Sequence, residues 1–221
     1  MGWRNRAAIL SAAILLPGCL AGETPPDRDL ATGCTVPRLA ATPDPPQREN
    51  RPGQLPVPTL TTPELIALAD CVRPVLAASM QASEAPSVRG YGAWPRYALR
   101  PFGSEHGSYL EIFAKDKAAA FGRFEDAGVF PEGATIAKHH FSVSGTGAVS
   151  RGPLLTMEKM RRGFNPSAGD WRFTMIAPDG RIVGESNGRN AAAVDFCLEC
   201  HKAARRQDFI MFVPPEFRRV P

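Results

Sequence analysis

Trp171-Arg172-Phe173-Thr174-Met175-Ile176-Ala177, then Pro178-Asp179-Gly180, then Arg181-Ile182-Val183-Gly184-Glu185, and shortly after them Cys197-Leu198-Glu199-Cys200-His201. The first three pieces read as a strand, a turn and a returning strand, the signature of an antiparallel hairpin. The last is a C-x-x-C-H run. Two thiols at that spacing can add across the two vinyl groups of a haem, and the following imidazole can bind the iron, which is the c-type attachment signature. A structural zinc site would need two more ligands at matching spacing. The other histidines and cysteines are scattered singly or, like His139-His140, adjacent. A thioredoxin-type dithiol belongs after a strand in a parallel β-α-β unit, and no such unit surrounds this motif.

Working outward, the turn chemistry repeats. Ser108 to Ala114 reads as a strand, and Asp116 as the cap of a helix from Lys117 to Glu125. Phe130-Pro131-Glu132-Gly133 is a turn into a strand from Ala134 to Val143. Gly145 to Gly152 reads as a glycine-rich loop before a strand from Leu154 to Arg161, and Asn165 to Asp170 turns into Trp171. Ala191 to Arg205 reads as the helix holding the cysteine motif, and Phe209 to Val213 as a final edge strand. The expected class is therefore α+β: a mainly antiparallel sheet, a few helices, a C-terminal haem-binding helix and a proline-rich N-terminal extension. Small electron-transfer cytochromes place this motif near the start of the domain, with an axial methionine far downstream. Here the sole methionine after His201 is Met211. Four-helix cytochromes place the motif late, but their bodies are long amphipathic helices, not glycine- and proline-broken β patterns.

The N-terminal half points outside the cytoplasm. Arg4 and Arg6 precede an apolar run from Ala7 to Leu16, too short to span a bilayer and suited to a signal peptide. Leu16-Pro17-Gly18-Cys19 looks like a bacterial lipobox, with Cys19 as the lipidated residue of a membrane tether. Plain cleavage nearby, for example after Ala21, stays open. Residues 1–19 are thus read as the export signal, and the protein as periplasmic and lipid-anchored. Of five cysteines, Cys19 and the haem pair leave Cys34 and Cys71. In an oxidising compartment a disulfide is their simplest state, two free buried thiols being the alternative. Prolines crowd residues 20–60, which read as an extended linker. Thr62-Pro63-Glu64 starts a helix as N-cap, N1 proline and early acid, and Pro74 should kink or divide it. That helical segment takes residues 61–96, and the haem domain residues 97–221. The formal charge of +4 is spread along the chain without a basic run carrying aromatics, so nucleic acid is not a partner class.

A late haem motif on a β-rich body resembles the cytochrome P-460 family, which includes the cytochrome c′-beta branch. The resemblance covers roughly Tyr97 to Val220. It is carried by Phe130-Pro131-Glu132-Gly133-Ala134-Thr135-Ile136-Ala137-Lys138, Met157-Glu158-Lys159, Gly169-Asp170-Trp171 and Cys197 to His201, in that order. It implies one c-type haem in a mainly antiparallel β fold, often a dimer, with His201 as proximal iron ligand and an open distal side. It also implies that Lys138 is joined covalently to the haem edge, as in the P-460 enzymes, which oxidise hydroxylamine. The c′-beta branch instead binds nitric oxide and related gases in an apolar pocket.

The two-residue strand period puts Ile136, Lys138 and His140 on one face, and His139 and Phe141 on the other. Lys138 could equally be a solvated strand lysine, and Lys159 is the fallback donor. His139 stands where some relatives have an acid. His139, His140 and the unplaced His106 are the histidines to be weighed against a sixth-ligand role. Oxidising hydroxylamine requires a base to take its protons, and Glu185 and Asp195 are the acidic candidates. Arg189, Arg205 and Arg206 are candidates to pair with haem propionates. Three functions compete: hydroxylamine oxidation with electrons passing to a partner cytochrome, capture of nitric oxide or carbon monoxide, and simple electron transfer.

Overall fold

The computed structural model describes residues 30–37, 59–104 and 108–219. Its centre is a seven-stranded antiparallel sheet: β1 (Ala31–Thr35), β2 (Phe102–Gly103), β3 (Tyr109–Ala114), β4 (Thr135–Val143), β5 (Ala148–Lys159), β6 (Trp171–Ile176) and β7 (Ile182–Glu185). Strands β2 to β7 lie side by side in chain order, as expected where each is joined to the next by a turn or short excursion. The long β5 pairs with β4 along its length, while its other edge is shared: β1 pairs at its start and β6 at its end. With a few helices around this sheet, the class is α+β.

The pleat separates two faces. Leu110, Ile112, Ile136, Met157 and Phe173 point into one core with Phe121, Phe130, Trp171 and Cys197. Tyr109, Phe141, Val143 and Val149 point the other way, under helix α1 (Thr62–Ser79), which buries Leu65, Leu68, Val72 and Leu76 on them. Glu111 is buried on this second face and is clamped by Arg73 of α1, whose Nε and Nη2 donate to its two oxygens at 3.1 and 2.9 Å. Cys34 and Cys71 form a disulfide that ties β1 to α1. The helix carrying the cysteine motif, α2 (Asp195–His201), packs on the first face.

Several local expectations give way to tertiary structure. The cap of α1 is Thr61, not Thr62; its N–H and its hydroxyl both donate to Glu64 at 2.8 Å. Pro74 does not divide α1; it lies on the exposed side, where water can satisfy the carbonyl deprived of a helical donor. Within the proline-rich extension, Ala31–Thr35 is a strand, because the early edge of β5 offers it a ladder. The glycine-rich loop shrinks to a tight turn, with β5 beginning at Ala148. Asp116–Asp126 is 3-10 helix broken at Phe124, with Asp116 its first residue and not its cap. The motif helix is α only over Asp195–His201, with 3-10 turns on each side. Phe209 to Val213 forms no strand; it wraps as irregular chain across the first face. Cys19, the export signal, His106 and most of the proline-rich stretch lie outside the described residues.

Candidate haem site

On the first face lies a cavity of about 370 Å³, walled by Ile112, Ile136, Met157 and Phe173 of the sheet, by α2, and by the irregular Met211–Pro214 stretch. Its size is ordinary for a small-molecule or cofactor site. Positions 197, 200 and 201 fall on one side of a helix, so both thiols and the His201 imidazole line it together. Cys197 is buried, and that burial raises its pKa to about 11; Cys200 is exposed.

His201 is held by the chain that follows it. Its Nδ1 lies 2.6 Å from the Phe209 carbonyl oxygen. A carbonyl only accepts, so Nδ1 carries the proton and Nε2 keeps its lone pair. This is the arrangement by which a metal-ligating histidine is oriented and made more basic. Burial, assisted by the positive charge of Lys138, lowers its pKa to about 4. The ring also packs 5.2 Å from that of Phe173.

Lys138 projects into the same space. Burial lowers its pKa to about 8, opposed by the two motif thiols. Its Nζ is 3.5 Å from the Met211 carbonyl oxygen, at the limit of a hydrogen bond. No carboxylate is among the described residues that line the cavity. His140 lines it two residues further along β4, its Nδ1 2.9 Å from Ser108 Oγ, which is 2.9 Å from Ser104 Oγ. A bulge positions His140: β5 carries one extra residue between the pairs His139–Leu154 and Phe141–Arg151. There Gly152 passes so close that a Cβ would stand 2.8 Å from the His140 carbonyl oxygen.

The remaining candidates fall elsewhere. His139 is fully buried on the opposite face, hydrogen-bonded to the Tyr91 hydroxyl, and burial lowers its pKa to about 3. The strand period that sends Lys138 inward sends this residue away, which removes it as an iron ligand. Glu185 pairs with Thr174 on β7 and Asp195 is exposed at the start of α2; neither lines the cavity. Arg189 bonds Glu84 at 2.7 Å, while Arg205 and Arg206 are exposed beyond α2. Lys159 is engaged by Asp208. Sequence reasoning missed Ser104, Ser108, Asp208 and the Phe209 carbonyl, because no periodicity or spacing marks residues from irregular chain.

The cytochrome P460 family profile matches residues 88–212. The chain belongs to the cytochrome P460 family. The matched span holds every residue named above as lining the cavity except Pro214, and leaves β1 and α1 outside. Comparison with curated proteins gives no match. Membership makes the chain a haem-binding, iron-binding cytochrome, and the residues present fit that group. An apolar cavity is provided with two thiols on one helical side and with an imidazole whose outer nitrogen is already satisfied by a carbonyl. No helix among the described residues is long and apolar enough to cross a membrane.

Proposed function

We propose that this is an exported cytochrome whose haem is joined by thioether bonds to Cys197 and Cys200, ligated by His201, and used to oxidise hydroxylamine. The observation that carries the reading is the position of Lys138. Its amine shares one cavity with both thiols and His201, and no carboxylate is among the described residues that line it. An amine with a pKa near 8 is about one-tenth unprotonated at pH 7, the form whose lone pair can replace the hydrogen on a haem edge carbon; that C–N bond forms with loss of two protons and two electrons, taken up by a two-electron oxidant such as a peroxide. When bound, the haem supplies an iron with an open position for a nitrogen ligand and a route for electrons to a partner cytochrome.

The protein's own contribution is binding, orientation and proton handling. Ile112, Ile136 and Met157 give the cavity an apolar wall. His140 takes the role first assigned to an acidic residue: its imidazole lines the cavity, and Ser108 and Ser104 lead from it towards half-exposed chain. Export is supported by the Arg4–Leu16 leader pattern and by the Cys34–Cys71 disulfide, which suits an oxidising compartment. Lipidation at Cys19, a partner cytochrome and dimerisation belong to the same reading.

A second reading, capture of nitric oxide or carbon monoxide without turnover, is favoured by the apolar lining, which has no carboxylate among its described residues. Proteolysis followed by mass spectrometry separates the two. The enzymatic reading expects haem on the Cys197–His201 peptide and on the Lys138 peptide, together with hydroxylamine consumption when an electron acceptor is supplied. Lys138→Leu should keep the thioether-linked haem and shift the main absorption band to that of ordinary c-type haem. Haem on the cysteine peptide alone, with reversible gas binding and no turnover, would transfer the assignment to the second reading.

A further inference from the structure

Three stretches carried the family resemblance beside the cysteine motif and Lys138: Phe130–Gly133, Met157–Lys159 and Gly169–Trp171, of which only Met157 lines the cavity. They come from the turn before β4, the end of β5 and the turn into β6, yet they converge on one residue, Asp208. Lys159 Nζ donates to both Asp208 carboxylate oxygens, at 2.6 and 2.8 Å. The Phe130 backbone N–H donates to Oδ2 at 2.9 Å. Trp171 Nε1 donates to the Asp208 backbone carbonyl at 2.7 Å. Gly169 packs so closely that a Cβ there would stand 2.8 Å from the Phe209 ring and 3.3 Å from Asp208 Oδ1.

This enclosure surrounds an unusual backbone. Asp208 and Phe209 are consecutive non-glycine residues with positive φ, 52° and 63°, a conformation that persists only where surrounding contacts over-determine it. Its effect is to aim the Phe209 carbonyl at His201 Nδ1. The Lys159–Asp208 pair is nearly buried, with side-chain exposures of 9% and 7%, so the clamp is shielded from water and salt.

We infer that Lys159, Asp208 and Trp171 form a positioning clamp for the proximal histidine, setting the electron donation of His201 to the iron through the Phe209 carbonyl. A fixed hydrogen bond from Nδ1–H to a carbonyl raises the basicity of Nε2, which stabilises the oxidised metal and lowers its reduction potential. These are positioning residues: none of them lines the cavity. The inference rests on the haem assignment and not on hydroxylamine turnover.

The test uses the full-length, haem-loaded protein. Asp208→Asn removes the charge with little change of shape, and Trp171→Phe deletes one donor while keeping most of the ring. Each variant is compared with wild type by resonance Raman spectroscopy of the ferrous iron–histidine stretch and by redox titration. The expected result is a stretch at lower frequency and a reduction potential more positive than wild type in both, larger for Asp208→Asn. Lys159→Arg, which keeps a bidentate cation, should stay closer to wild type than Lys159→Met. If Asp208→Asn fails to fold, Trp171→Phe decides. Unchanged stretch and potential in folded, fully loaded variants would overturn the clamp. A wild-type protein whose haem is not ligated by His201 would instead overturn the haem assignment itself.

Discussion

Lys138 and His139 are neighbours in the chain with opposite fates, and the one-residue pleat is the cause. The amine faces the thiols, whereas the imidazole is sealed beneath the sheet against Tyr91. A histidine in the unfolded chain titrates near 6.5, but folded His139 does so at about 3. Between those values the unfolded state binds more protons, so stability is intact above pH 6.5 and is lost as pH falls towards 3. From pH 7 to pH 5 this one residue removes about 2 kcal/mol. Denaturant melts at the two pH values should show His139→Gln, which cannot titrate, losing that much less than wild type; equal losses would refute the assignment. That the two neighbours lie on opposite faces was legible from the alternation alone; which face held the site was not. That His140 meets Ser108, through a bulge at Gly152, was not, since a bulge depends on the partner strand.

At the scale of elements, α1 and β1 cover the face of the sheet opposite the haem site. Leu76 is almost fully buried there, and Leu76→Ala should cost about 2–5 kcal/mol by transfer and cavity terms. The Cys34–Cys71 disulfide closes a loop with a sequence separation of 37, and replacing both cysteines by serine should lower stability by about 2–5 kcal/mol. Both changes should leave the haem absorption spectrum unaltered, because the sheet stands between them and the cavity. Calorimetry and spectra on the same samples check this; a shifted haem band would mean the two faces are coupled. The helix start, its apolar stripe and the hairpin turns were readable because each is written in local residues. The final stretch was misread as a strand because Phe209–Val213 has strand composition but, once Asp208 is clamped, no strand partner.

For the whole molecule, one sheet has two unlike faces, one closed by α1 and one furnished with α2 and the cavity. The family match begins at residue 88, yet the sheet it covers needs α1 and β1 to bury Tyr109, Phe141, Val143 and Val149. A chain beginning at residue 88 should therefore be aggregation-prone and cooperatively unstable, because it exposes a contiguous apolar face. Size-exclusion chromatography and thermal melts test this, and a monomeric, cooperatively melting fragment would refute it. By itself the sequence determined the α+β class and the antiparallel sheet, which follow from spacing, alternation and turn chemistry between residues close in the chain, and its motifs carried the resemblance to the family and its haem. Only the tertiary structure decided that Glu185 and Asp195 stand outside the cavity while His140 lines it. It alone showed that Lys159, Trp171, Phe130 and Asp208 meet behind His201. Such contacts join residues from distant strands and irregular chain, and they are set by register, bulges and packing that no local pattern encodes.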